Sequence, residues 1–131
     1  MTRHLYPVLL LSLLTPLAGC DGASSTPAES PRKIAARAAT LTPAEPRLAA
    51  LYETSCRACH ASAEAGAPLT GDTRAWAPRW DKGMPILVEH TISGFNGMPA
   101  GGQCFSCEPA DYEALIRFLA GHGPAREGTP S

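Results

Sequence analysis

Two cysteines three positions apart, with a histidine directly after the second, constrain this chain more than any other stretch: Cys56-Arg57-Ala58-Cys59-His60. C-x-x-C-H is the attachment pattern of haem c. The spacing has a chemical reason. Two cysteines so placed meet the two vinyl groups along one porphyrin edge as thioethers, and the next residue then offers an imidazole nitrogen to the iron from one face. Half of a zinc site and a thioredoxin-like dithiol are the competing readings. Zinc draws some support from a second pair, Cys104-Phe105-Ser106-Cys107. However, 44 residues separate Cys59 from Cys104, well beyond a zinc-ribbon gap. His60 and the export signal at the N-terminus both favour haem.

The chain is 131 residues long, and much of it is unavailable for a core. Arg3 and His4 precede an apolar run from Leu5 to Leu17, 13 residues long, interrupted by Tyr6, Pro7, Ser12, Thr15 and Pro16. That is too short to span a bilayer but suits a secretory signal. The run ends in Leu17-Ala18-Gly19-Cys20, which resembles the lipobox of bacterial lipoproteins. The likeness implies that residues 1–19 are removed and that Cys20 is acylated, anchoring the protein to a bacterial membrane on the periplasmic side. An ordinary signal peptide with an incidental cysteine is the alternative. Asp21 resembles an inner-membrane retention signal, so the inner membrane is favoured. Residues 20–46 are rich in Ala, Ser, Thr and Pro, with only Ile34 and Leu41 large and apolar. This composition reads as a flexible tether, with Arg32, Lys33 and Arg37 solvated. Residues 124–131 read as a disordered tail.

What remains, 47–123, is 77 residues and one domain. A domain of this size needs a staple, and a covalently attached porphyrin serves as one by forming most of the core. Charge excludes little else. Lys and Arg total 11 against 12 Asp and Glu, for a net −1. There is no basic patch for nucleic acid, and P-loop, dinucleotide-binding and nucleophile-elbow patterns are all absent.

Helical signals recur along the folded part. Thr42 and Glu45 fit a capping box, with Pro43 or Pro46 in the first turn. Leu48, Leu51, Tyr52 and Ser55 then repeat at helical spacing and run into the cysteines. A short helix is expected over Trp76 to Asp81, capped by Asp72 or Thr73, and another over Pro85 to Ser93, closed by Gly94. The last opens at Pro109, carries a stripe of Tyr112, Leu115, Ile116 and Leu119, and stops at Gly121. No alternating run suggests a strand, so the expected fold is all-α with long loops. Tyr52 and Phe118 read as core, His90 as surface or rim, and His122 as solvated.

A haem held by one histidine takes a sixth ligand or leaves an open site. Two pairs compete, Met84-Pro85 and Met98-Pro99. Pro99 makes Met98 extended, and glycines at 94, 97, 101 and 102 let its loop approach a ring closely. Met84 opens a predicted helix, where packing is its natural role. Met98 is therefore favoured, with Met84 still open on residues alone.

The matching pieces are Cys56-x-x-Cys59-His60, Gly66-Ala67-Pro68 with Gly71-Asp72, Trp76-Ala77-Pro78-Arg79, Gly94-Phe95-Asn96-Gly97-Met98-Pro99, Gly101-Gly102, and the cysteine pair before the last helix. Together they resemble a class I c-type cytochrome, most closely the cytochrome c-five type. The resemblance implies a small helical domain wrapped around one covalent haem c, with His60 and Met98 as iron ligands. It gives Pro68 a carbonyl for the far nitrogen of His60. Trp76 and Arg79, with Trp80 as alternate, become candidates to contact the propionates. Cys104 and Cys107 become a disulfide, with a redox-active dithiol as the alternative. Glu108 stands where a second haem would need a histidine. The chain departs at Pro99-Ala100, where a second proline is common, and in its anchor and tether.

The implied function is electron transfer by a monomeric carrier, not an enzyme. Expected partners are a quinol-oxidising complex upstream and a terminal oxidase or reductase downstream. A haem-based ligand sensor, which needs Met98 to dissociate readily, and a zinc-binding module are the alternatives.

Overall fold

The computed structural model describes residues 29–127. The expected signal peptide (1–19), Cys20, Asp21 and residues 128–131 of the tail lie outside the described residues. Why each helix starts where it does is legible in its caps. Helix α2, Pro46–Ser55, opens on Glu45, whose carboxylate accepts from the N–H groups of Arg47 (2.9 Å) and Leu48 (2.6 Å). The expected box with Thr42 does not form. Thr42 lies in a strand, and Pro43 beside it is fully buried instead of opening the helix. At Cys56 the chain bends (φ −106°) and a single further turn, α3, runs over Arg57–His60.

Helix α4 spans Thr73–Trp80, three residues earlier than expected, because Asp72 caps it by accepting from Ala75 N. Helix α5, Met84–Ser93, lies between Gly83 and Gly94, both at positive φ. A short 3-10 turn at Ala100–Gln103 follows, and α6 covers Pro109–Leu119. Asp111 reaches back to accept from Glu108 N at 2.8 Å, a start signal that Pro109 alone did not reveal.

The core lies where α2, α4 and α6 meet: Leu51, Tyr52, Trp76, Leu115, Phe118, Leu119 and Ala120, with Cys104 beside them. Tyr52 and Phe118 pack edge to face, ring centroids 5.0 Å apart.

The tether and tail expectations need correction. Residues Pro31–Thr40 form a helix, α1, and Leu41–Pro43 form a short strand, β1, antiparallel to β2 at Ala125–Glu127. Composition pointed the other way because this stretch has few large apolar side chains. The helix docks by other means. Its alanines are strong helix formers, Ala38 is fully buried, and two arginines tie it down. Arg37 donates to the Gly71 carbonyl at 3.1 Å, and Arg57 of α3 donates to the Ala39 carbonyl at 2.9 Å. Three-residue strands are too short to show an alternating pattern, which is why none was expected.

Candidate haem-binding site

His60 is where the local structure converges. Its ring is buried, at 6 % exposure, and Nδ1–H donates to the Pro68 carbonyl at 2.8 Å. That bond fixes the tautomer and leaves the lone pair of Nε2 free to bind a metal. Burial pushes the imidazole's pKa down, with a smaller opposing contribution from the Pro68 bond and a further lowering from nearby Arg79. The ring is thus held neutral, as a metal ligand must be. The two residues after Pro68 complete the grip. Thr70 N–H donates to the His60 carbonyl at 2.7 Å, and Leu69 accepts from Trp76 Nε1 at 2.9 Å. Trp76 itself stands 5.8 Å from the His60 ring, centroid to centroid.

This geometry changes what Trp76 can do. Its one N–H is committed to Leu69, so it lines the histidine's surroundings instead of donating to an anionic propionate. Arg79 on the same helix is exposed, with one contact to the Ala75 carbonyl. Trp80 stacks on His122 at 4.2 Å with the Arg117 guanidinium over its ring. His90 stacks on Phe95 at 4.1 Å.

Cys56 and Cys59 are unpaired thiols at the bend between α2 and α3, within one turn of His60. Burial, with the neighbouring Cys59 adding to it, pushes the Cys56 thiol up to about 11, so it stays protonated at neutral pH. Cys104 and Cys107 are joined in a disulfide, and Tyr112 Oη–H donates to the Cys104 carbonyl at 3.1 Å. Sulfurs bonded to each other supply no thiolate for zinc. Among the described residues no three His, Cys, Asp or Glu side chains come together as a metal cluster.

Met98 closes a tight turn with Phe95: their main chains exchange hydrogen bonds of 3.0 and 2.9 Å around Asn96 (φ 54°) and Gly97. Its methyl lies against Gly102, where a Cβ would stand 3.3 Å from Met98 Cε. Met84 sits in the first turn of α5. Ile86, Ile92 and Phe95 add exposed apolar surface on α5 and the turn. A buried imidazole fixed through Nδ1, two free thiols within one turn of it and a methionine held in a tight loop fit a haem c. Sequence reasoning missed Leu69 and Thr70, because a small loop residue flagged by no motif gives no signal until the chain is folded.

Residues 43–119 match the family model described as cytochrome c oxidase, cbb3-type, subunit III. Cytochrome c-555 of Chlorobaculum thiosulfatiphilum is 46% identical over 76 residues, 55% of this chain and 88% of that protein. The chain belongs to the class I c-type cytochromes. Cytochrome c5 of Ectopseudomonas mendocina is 38% identical over 68 residues, covering 50% of this chain and 78% of the relative. A chain from the crystal structure of an electron transfer complex of nitrite reductase with cytochrome c superimposes with a TM-score of 0.51. It shares 33% identity, over 58% of this chain and 93% of its own. This cytochrome is therefore an electron carrier with one covalently bound haem c, serving redox protein partners. Helix α1 lies before the residues that match the family.

Proposed function

We propose that this cytochrome carries single electrons in the periplasm through a haem joined to Cys56 and Cys59 and ligated by His60 and Met98. The observation that carries the reading is the buried His60 ring, fixed through Nδ1 to Pro68 directly after two unpaired cysteines. When bound, the haem supplies a one-electron couple between ferrous and ferric iron. The chain's own residues then set its terms. Pro68 raises the basicity of the His60 ligand by accepting a hydrogen bond from its Nδ1–H. Met98 contributes a soft thioether, which favours the ferrous state and a higher potential than a second imidazole would give. With His60 and Met98 both holding the iron, the bound haem would offer electron transfer and no open site for a substrate. Arg79, with Trp80 as the alternate, is the remaining propionate candidate, and Trp76 seals the histidine side.

Docking to partners is brief and weak, as small redox interfaces are. A quinol-oxidising complex is the donor we favour and a terminal oxidase or reductase the acceptor. The reductase arm draws support from the structural relative, which comes from a complex with nitrite reductase. Cys20, with a diacylglyceryl group on its sulfur and a further acyl chain on its new amine, holds a monomer at the inner membrane.

The decisive test is spectroscopic. Met98→Ala abolishes the oxidised sulfur-to-iron charge-transfer band while Met84→Ala retains it; the reverse result overturns the ligand assignment. Cys20→Ala releases the protein from membranes, and unchanged fractionation rules out the anchor.

A further inference from the structure

The geometry points to Tyr52 and Thr70 as positioning residues for His60, acting on its main chain where Pro68 acts on its ring. The inference rests on His60 being an axial ligand. Helix α3 ends at His60, so the carbonyl there is one that a helix terminus leaves without an intrahelical donor. Thr70 supplies two donors to it, N–H at 2.7 Å and Oγ1–H at 3.0 Å. A hydroxyl carries one proton, and that of Thr70 is committed to the carbonyl. Its contact with Tyr52 Oη, also 3.0 Å, must therefore be one in which Tyr52 donates. The result is a directed relay from Tyr52 to Thr70 to the His60 carbonyl.

Both side chains are fully buried at 0 % exposure, and hydrogen bonds in series away from solvent polarise one another. Residues 68–70 thus grip the histidine at both ends, while Tyr52 fixes where that segment sits relative to α2. Tyr52 is itself wedged edge-on against Phe118 of α6. Phenylalanine would fill the same volume. What the hydroxyl adds is the link between the helical core and the ligand's backbone.

The test uses the haem-loaded protein and four variants: Thr70→Val, Thr70→Ser, Tyr52→Phe and Tyr52→Phe/Thr70→Val. Two readouts are followed, proton exchange at His60 Nδ1 by NMR and the midpoint potential. Thr70→Val removes the hydroxyl donor but strands the Tyr52 O–H. The double variant removes both hydroxyls, leaves neither stranded, and so folds even where Thr70→Val does not. Thr70→Val and the double variant are expected to speed Nδ1 exchange about fivefold, as loss of one ordinary hydrogen bond implies. Both displace the potential in the same sense, and Thr70→Ser restores wild-type behaviour. Tyr52→Phe, which keeps the Thr70 donor, gives a smaller change of the same sign. Wild-type exchange and potential in the double variant, with stability alone altered, overturn the relay as a positioning device. The ligand assignment fails separately: His60 ring resonances without a hyperfine shift in the ferric wild-type protein would show that His60 is not bound to iron.

Discussion

Gly94→Ala tests whether the turn that carries Met98 is held by backbone contacts alone. Gly94 closes α5 at φ 84° and ψ 150°, a region reached almost only by glycine. A Cβ there would stand 3.0 Å from both Ala100 N and Met98 O, and 3.3 Å from the Pro99 carbonyl carbon. All three are backbone atoms of the Met98 segment, so relieving the clash means moving Met98. Gly66 provides a control within the same chain. It too has positive φ, at 69°, but in the left-handed helical region, and an added Cβ there would meet nothing within 4 Å. Gly66→Ala therefore loses only the backbone preference, about 1–2 kcal/mol. Gly94→Ala adds overpacking of about 1–3 kcal/mol to a backbone penalty of about 2–3 kcal/mol, roughly 3–6 in total. Guanidinium unfolding followed by far-UV circular dichroism measures both. Equal losses for the two variants would refute the packing argument. The sulfur-to-iron band gives an independent check: it weakens in Gly94→Ala and persists in Gly66→Ala, and a destabilised Gly94→Ala with an unaltered band would uncouple turn from ligand.

Acid stability depends on Asp111, whose carboxyl Arg47 and the Glu108 N–H hold below its ordinary value of 3.8. A depressed carboxylate stabilises the fold above its unfolded value, and the contribution is lost as pH falls through the lower folded value. Urea midpoints taken from about pH 6 to 2 should drop in the wild type and flatten in Asp111→Asn. Arg57→Ala removes the bond to the Ala39 carbonyl and the contact with Glu53, so amide exchange in residues 34–40 should accelerate while the α2–α6 core keeps its protection. Unchanged exchange in α1 would mean that Ala38 and Arg37 suffice to hold it. Replacing Cys104 and Cys107 by serine opens a very small loop, so the loss should not exceed about 2 kcal/mol by chain entropy. Thermal melts measure it, and a much larger loss would show that the loop shapes the start of α6 directly.

The parts of this fold that were legible before folding are those governed by short-range rules. The C-x-x-C-H spacing, the Gly94 stop and the Pro109 start each act within a few residues, and the α6 stripe of Leu115, Ile116 and Leu119 follows from helical period alone. Helix α1 was not legible, because its attachment is long-range. Arg37 reaches Gly71, 34 residues away, and Arg57 reaches Ala39 across 18. An alanine-rich segment with scattered arginines reads as solvated until its carbonyl partners are known. The same limit applied to the histidine. Pro68 stood out through a familiar pattern, but Thr70 is a small polar residue in a loop, and in sequence it differs in no way from a solvated threonine. Its role depends on three elements arriving together: α2 bringing Tyr52, α3 ending at His60, and the 68–70 segment passing between them. A motif names the atoms that meet the iron, whereas the forces that keep those atoms in place are written in contacts that no spacing rule contains.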